Sequence, residues 1–213
     1  MLFITNRFPT QSIRTRIGRN FTFDLDNNAP SNSVFFCSRT SRGSYAEVGS
    51  EKFLTRLKDA KCRQIPIYIH GFSNLPEDVF NDALELQNLC NKKKPNEVLV
   101  IPMLCPCDND RGIVRDYWDD QKAADQSGYS FARVLQKFLA WRNSEEFNPK
   151  SDPCLKRLNI LAHSMGARVL RGTLWAWNNY DLAAGVPLLF RNTFLVAADV
   201  VNETVHVGET GEL

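Results

Sequence analysis

The sequence lacks any apolar run long enough to cross a membrane, and it lacks an excess of one charge. Its longest apolar stretches, at 98–104 and 194–201, are far shorter than the roughly 18 to 20 residues that a spanning helix requires. The 26 Lys plus Arg residues nearly balance the 24 Asp plus Glu residues, so a net charge of +2 creates no long-range field for a polyanion. These features predict that the chain has no membrane span and no nucleic-acid partner.

Signals for export are also missing. Residues 1–7 contain only a short apolar stretch and no basic region before it, which predicts that no signal peptide is present. The six cysteines are scattered along the chain, unlike the dense disulfide framework of a small secreted domain. We therefore expect reduced thiols and a cytoplasmic location.

Motifs for cofactors are equally scarce. Cys105 and Cys107 are the one close cysteine pair, but a C-x-C pair with no second Cys or His pair nearby in the sequence is weak evidence for zinc. The nucleotide-binding patterns G-x-G-x-x-G and G-x-x-x-x-G-K-[ST] do not occur. The sequence therefore gives no reason to assign a metal or another cofactor.

The order of apolar patterns predicts an α/β fold in a single domain that spans residues 1–213. In the first fifty residues, β-rich runs at 2–5, 21–25 and 34–37 alternate with polar loops, which is typical of antiparallel structure at a sheet edge. Beyond residue 50, helical patterns, including a long one at 118–141, alternate with continuous apolar runs. Such alternation is typical of a mostly parallel sheet with helices on both faces. The apolar runs lie at 65–69, 97–103, 158–162 and 192–198.

The most informative segment is Ala162-His163-Ser164-Met165-Gly166, which follows an apolar strand and precedes an amphipathic helix. This context is typical of the nucleophile elbow, where small residues on both sides of the serine let strand and helix backbones approach. The turn would expose the Ser164 hydroxyl, and the Met165 N–H at the helix N-terminus would face a carbonyl oxygen that gains charge. The alternative is an ordinary helix-capping serine.

A second turn, His70-Gly71-Phe72, ends the apolar run at 65–69. Gly71 would let the backbone turn and present its N–H groups. In folds built around a nucleophile elbow, this loop supplies the second oxyanion donor, for which we predict the Phe72 N–H. His70 and His163 each adjoin a backbone turn, so we expect them to orient loops rather than to act as general bases.

These two motifs, followed by Ala197-Ala198-Asp199-Val200, resemble the α/β-hydrolase superfamily, and the A-H-S-M-G form resembles its uncharacterised bacterial DUF900 branch. The resemblance covers about residues 65–205. Tyr117-Trp118-Asp119-Asp120 is similar to a helix start of that branch, whereas Met103-Leu104-Cys105-Pro106 stands where the branch has W-P-S. The resemblance implies a serine esterase or lipase-like hydrolase of small acyl compounds, in which Ser164 attacks the acyl carbonyl and Asp199 orients a histidine.

The position of that histidine leaves three alternatives open. After Asp199 the chain has one histidine, His206, whereas the family places its base after one or two further strands. The chain is a fragment that lacks its C-terminal strands, a naturally short enzyme that uses His206, or a noncatalytic binding or scaffolding module. We favour the fragment, in which the strand at 194–201 would leave a sheet edge open to self-association.

Overall fold

The protein folds around an eight-stranded mixed sheet. The computed structural model describes residues 1–107, 112–146, 156–181 and 186–200. The strands are β1 (Leu2–Arg7), β2 (Asn20–Phe21), β3 (Pro30–Ser41), β4 (Ser44–Glu47), β5 (Gln64–Ile69), β6 (Ile101–Leu104), β7 (Arg157–His163) and β8 (Asn192–Val196). The helices are α1 (Ser50–Asp59), α2 (Pro76–Asn91), α3 (Ile113–Glu146) and α4 (Gly166–Ala176), followed by a π-helical turn at Trp177–Asp181.

The spatial order of the strands is β2-β4-β3-β1-β6-β5-β7-β8. From β1 to β8 all neighbouring strands are parallel, whereas β2, β4, β3 and β1 are paired antiparallel. The predicted mostly parallel sheet with an antiparallel N-terminal edge is therefore confirmed. In such a sheet the carboxyl ends of the parallel strands meet at one edge, which is where ligands of α/β folds bind.

Helices cover the sheet on both faces. Helices α1, α3 and α4 pack on the face that carries Ile67 and Ile69, and α2 packs on the face that carries Tyr68. Alternate residues of β5 thus belong to two separate apolar clusters, which explains why its apolar run is continuous. The helix residues that supply the first face are Phe53, Leu57, Phe131, Val134, Val169 and Leu170, and those of the second are Val79, Phe80 and Ala83.

The N-terminal segment differs from its sequence-based description in two respects. Strand β1 lies inside the sheet, antiparallel to β3 on one side and parallel to β6 on the other. The run at 21–25 contributes only Phe21, the second residue of β2, and one isolated bridge between Phe23 and Pro9. The polar residues that follow, Asp24, Asp26, Asn27 and Asn28, favour turns over continued strand pairing.

The crossing of α3 and α4 depends on a glycine. A Cβ added at Gly128 would lie 2.5 Å from the carbonyl carbon of Gly172, which is shorter than any ordinary contact. The two helix backbones therefore touch at this point. Because α4 begins directly after β7, this crossing also fixes the helix that follows the Ser164 turn.

Strand β8 forms one edge of the sheet, and all five of its residues are exposed. Self-association through this edge stays a prediction, since exposed strand edges can pair with other chains. None of the described helices, including the 34-residue α3, combines the length and the apolarity needed to span a membrane.

Candidate active site

Strand β7 ends in a turn that holds Ser164 in the left-handed region of backbone space, with φ of 50°. Non-glycine residues rarely adopt this conformation, so the surrounding structure must hold it in place. The Ser164 N–H donates to the carbonyl of Val196 (2.9 Å), and the Ser164 carbonyl accepts from the N–H of Asp199 (3.1 Å) and of Ala167 (3.0 Å). The turn is thus tied to the end of β8 and to the first turn of α4.

Gly166 brings the start of α4 into direct contact with β5. A Cβ at this position would lie 2.5 Å from the carbonyl oxygen of Ile69 and 2.7 Å from that of His70. Only glycine leaves room for these two oxygens, which agrees with the close backbone approach expected from the motif. Ala162, on the other side of the serine, is fully buried.

Gly71 approaches Ser164 from the neighbouring strand end. A Cβ at Gly71 would lie 3.0 Å from the Cβ of Ser164 and 3.2 Å from Nδ1 of His163. The φ angle of Gly71 is not in the left-handed region, which Ser73 occupies instead with φ of 55°. Gly71 therefore makes room for the serine, whereas the sequence suggested that it permits a turn.

The loop after β5 is held by polar side chains. The Asn74 amide donates to the carbonyl oxygens of Gly71 (3.2 Å) and Phe72 (2.8 Å). The N–H of Ser73 donates to the carboxylate of Asp120 on α3 (3.1 Å), which is fully buried. These bonds fix the peptide planes on both sides of Phe72.

The main-chain N–H groups of Phe72 and Met165 donate no hydrogen bond to any residue in the described ranges. Met165 is the N-cap residue of α4, where the helix dipole is positive, and Phe72 follows the glycine that contacts Ser164. Buried main-chain donors nearly always have partners. Met165 directly follows Ser164, and Phe72 follows the glycine beside it. These two donors are suited to receive an oxyanion, and their convergence on one point stays a prediction.

Asp199 lies beside Ser164 and is held by a tyrosine. Its carboxylate oxygens accept the hydroxyl of Tyr117 on α3 at 3.0 and 3.2 Å. Burial and the neighbouring carboxylate raise the pKa of Tyr117 above its ordinary value, so the hydroxyl stays protonated and donates. The Tyr117 ring packs edge-on against Phe72, with 5.6 Å between ring centroids. Tyr117 thus connects Asp199 with the loop after β5.

Neither described histidine, His70 or His163, forms a hydrogen bond with the Asp199 carboxylate, whose described partner is Tyr117. His70 is buried, with Nδ1 2.9 Å from the carbonyl oxygen of Gly71 and Nε2 3.2 Å from the N of Cys105. Nε2 also lies 3.2 Å from the Cys105 carbonyl oxygen, so Nδ1 makes the shorter of the two carbonyl contacts. We therefore assign the proton to Nδ1, which lets Nε2 accept the Cys105 N–H. His163 lies against Gly71. His206 is outside the described residues.

Sequence reasoning missed the residues that support the two turns. Asp120 and Tyr117 lie in the segment that resembles a family helix start. The sequence therefore indicated that this segment is important, but it did not predict which groups these side chains bind. The Tyr117 hydroxyl and the Asp199 carboxylate are 82 positions apart, and such a pairing exists only once the sheet is formed. The approach of His70 to Cys105 and Cys107 was missed for the same reason.

Comparison with known proteins identifies the family. A family model described as an alpha/beta hydrolase of unknown function (DUF900) matches residues 46–208, a range that includes both turns and Asp199. No curated protein and no solved structure matches the chain. The resemblance drawn from the two motifs is therefore confirmed, and the chain belongs to the DUF900 family of alpha/beta hydrolases.

Proposed function

We propose that the protein is a serine hydrolase that cleaves carboxylic esters or related acyl compounds through an acyl-enzyme on Ser164. The observation that carries this proposal is the left-handed conformation of Ser164, and it is supported by the main-chain N–H groups of Phe72 and Met165, which have no partner in the described part of the chain. A disfavoured serine conformation in such a turn, in a chain with unused main-chain donors at that turn and in the neighbouring loop, is most simply explained by nucleophilic catalysis.

The reaction would proceed in two steps. Ser164 Oγ attacks the carbonyl carbon of the ester, and the negative charge that develops on the carbonyl oxygen is received by the N–H groups of Phe72 and Met165. The alcohol leaves with the proton that the hydroxyl has lost, and water then releases the acid from the acyl-serine. Gly71 supports this geometry because it leaves the space beside Ser164 open.

The hydroxyl proton needs a base, and we propose that Asp199 orients it. Its main chain is bonded to Ser164 and its carboxylate is held by Tyr117. His70 is unsuited to this role because both of its ring nitrogens contact the main chain. The variant His206→Ala is therefore informative: if turnover disappears in the folded variant, His206 is the base.

A fluorophosphonate probe tests the nucleophile directly. Intact-mass measurement should show one covalent adduct on the wild-type chain, none on Ser164→Ala and the full adduct on Ser41→Ala, which changes an exposed serine on β3. Turnover of p-nitrophenyl esters should follow the same order. An adduct that persists in folded Ser164→Ala would refute the proposed nucleophile.

One observation favours a second candidate, a binding or scaffolding module that retains the fold. Within the described residues, the partner of the Asp199 carboxylate is the hydroxyl of Tyr117 rather than a histidine ring. A module of this kind would give a folded wild-type protein with no adduct and no ester turnover. The same two measurements therefore decide between the candidates.

A further inference from the structure

A buried cluster of one imidazole and two thiols lies on the side of β5 that faces β6, whereas the Ser164 turn follows β7 on the other side of β5. Its members are His70 at the end of β5 and Cys105 and Cys107 directly after β6, and none is more than 3% exposed. We propose that His70, Cys105 and Cys107 form a binding site for a thiophilic d¹⁰ cation, Zn²⁺ or Cu⁺.

The donor set is the first argument. The three potential ligand atoms, one ring nitrogen and two sulfurs, all lie within 4.8 Å of one another. Imidazole and thiolate groups are the ligands preferred by Zn²⁺ and Cu⁺. The C-x-C spacing alone gave no reason to expect a metal, but the pairing of β5 with β6 brings in His70 from 35 positions earlier in the chain.

The orientation of the His70 ring is the second argument. With the proton assigned to Nδ1, its N–H donates to the carbonyl oxygen of Gly71 (2.9 Å), and the lone pair of Nε2 is available toward Sγ of Cys105 (3.5 Å). Metal-binding histidines almost always hold their other ring N–H in such a bond, because it fixes the tautomer and the ring plane. The ring is therefore already set as a ligand through Nε2.

The distances are close to those of a tetrahedral site. Nitrogen and sulfur bound to one Zn²⁺ at its usual bond lengths are about 3.6 Å apart. Nε2 of His70 and Sγ of Cys105 are 3.5 Å apart. Sγ of Cys107 lies nearer to Nδ1 (3.9 Å) and to the Gly71 carbonyl oxygen (3.6 Å), so it must rotate about its χ1 bond to join the cation.

Binding would replace weak contacts. The bond from the Cys105 N–H to Nε2 is 3.2 Å long, and Sγ of Cys107 lies 3.6 Å from the Gly71 carbonyl oxygen and 3.9 Å from Nδ1 of His70. Both thiols release their protons to solvent when they bind the cation. With two thiolates, Zn²⁺ is neutralised, so the site adds no net charge beside the buried Arg7, whose Nη1 donates to the Cys107 carbonyl (2.9 Å).

Metal binding can be measured without any assay of activity. The purified full-length chain is kept reduced, freed of metal with a chelator and titrated with Co²⁺ as a spectroscopic substitute for Zn²⁺. We expect one Co²⁺ per chain, with the thiolate charge-transfer intensity of two sulfur ligands and the visible bands of a tetrahedral site. Competition with Zn²⁺ and, in separate anaerobic samples, with Cu⁺ then shows which ion binds more tightly.

Variants locate the site. His70→Gln, Cys105→Ser and Cys107→Ser should each lower the affinity at least tenfold, whereas Cys90→Ser, which changes an exposed thiol on α2, should bind like the wild type. Zn²⁺ at about one hundred times its Kd should raise the Tm of the wild type and of Cys90→Ser by about 5 to 10 °C, and that of Cys107→Ser by much less.

Two results would overturn the proposal: no stoichiometric binding by the wild type, or binding that survives in folded Cys105→Ser and Cys107→Ser. If the variants do not fold, the wild-type Co²⁺ spectrum still decides, because a spectrum without two-thiolate charge transfer excludes this site. Ser164→Ala should bind metal like the wild type. The metal site can therefore fail or stand independently of the proposed hydrolase activity.

Discussion

The turn after β5 and the turn after β7 present their candidate oxyanion donors by different means. Polar side chains hold the first, namely the His70 ring, the Asn74 amide and the Asp120 carboxylate. Main-chain contacts hold the second, in which Gly166 lies against the carbonyl oxygens that end β5. Substitutions in the first turn should therefore remove one hydrogen bond at a time. In the second turn, an added side chain should overlap with the main chain and displace it.

The largest effect is expected for Gly166→Ala, which tests the second turn. The new Cβ would lie 2.5 Å from the carbonyl oxygen of Ile69, so α4 or β5 must shift. We expect a loss of about 3 kcal/mol or more in the free energy of unfolding, measured by urea denaturation.

Gly172→Ala, six positions later on α4, is the matched control. Its nearest neighbour would lie at 3.5 Å, an ordinary contact, so stability should stay the same or rise by up to about 1 kcal/mol. If Gly166→Ala is as stable as the wild type, close main-chain contact does not hold this turn.

The next effect concerns the space between the two turns. Gly71→Ala would place a Cβ 3.0 Å from that of Ser164, and Gly71→Val would add two methyl groups there. We expect ester turnover to fall from the wild type to the alanine variant and further to the valine variant, because the Phe72 donor is displaced. For Gly71→Val the loss should be about 10²-fold to 10³-fold relative to the wild type. The free energy of unfolding should change much less than it does for Gly166→Ala. Unchanged turnover in Gly71→Val would contradict the oxyanion role of this loop.

The two turns also differ in how far the sequence could predict them. The β7–α4 turn was predictable because its determinants, Ala162, Ser164 and Gly166, are adjacent in the chain and act through local backbone geometry. The β5 loop was predictable only in position. Its supports come from α3 and from Asn74, and neither hydrophobic periodicity nor a local motif encodes which polar side chains meet after folding.

The same distinction applies to the fold as a whole. Continuous apolar runs predicted β5 and β7 nearly to the residue, because both faces of these strands are buried. The run at 21–25 was overestimated because its phenylalanines are buried mainly by ring packing, with Phe21 and Phe23 centroids 5.2 Å apart, rather than by strand pairing. Apolar content predicts burial, but it does not fix the length of an edge strand.

A smaller effect is expected for Asp120→Asn, which weakens the polar support of the β5 loop. The carboxylate accepts from the Ser73 N–H and from Asn28 (2.9 Å), and an amide cannot accept both bonds equally well. We expect a loss of about 1 to 3 kcal/mol in the free energy of unfolding, since Asp120 is fully buried.

Asp125→Asn makes the same charge change on the same helix and serves as the control. Its ion pair with Arg168 (2.9 Å) is exposed on the Asp125 side, so stability should fall by about 1 kcal/mol or less. If both variants lose the same stability, burial of the Asp120 carboxylate does not matter to the loop.

The smallest effect is expected for Tyr117→Phe, which removes the hydroxyl bonded to Asp199 and keeps the ring against Phe72. We expect about tenfold lower ester turnover with nearly unchanged stability, because one hydrogen bond to a charged group is lost at a partly exposed site. Tyr129→Phe, which alters an exposed tyrosine of α3, should leave turnover unchanged.

The pH dependence sharpens this last test. Burial and Asp199 raise the pKa of Tyr117 above its ordinary value of about 10, so its hydroxyl keeps donating throughout the neutral and mildly alkaline range. The ratio of wild-type to Tyr117→Phe turnover should therefore stay constant from about pH 6 to about pH 10 and fall toward one only above that range. A ratio that already falls near pH 8 would mean that a group other than the Tyr117 hydroxyl supports Asp199.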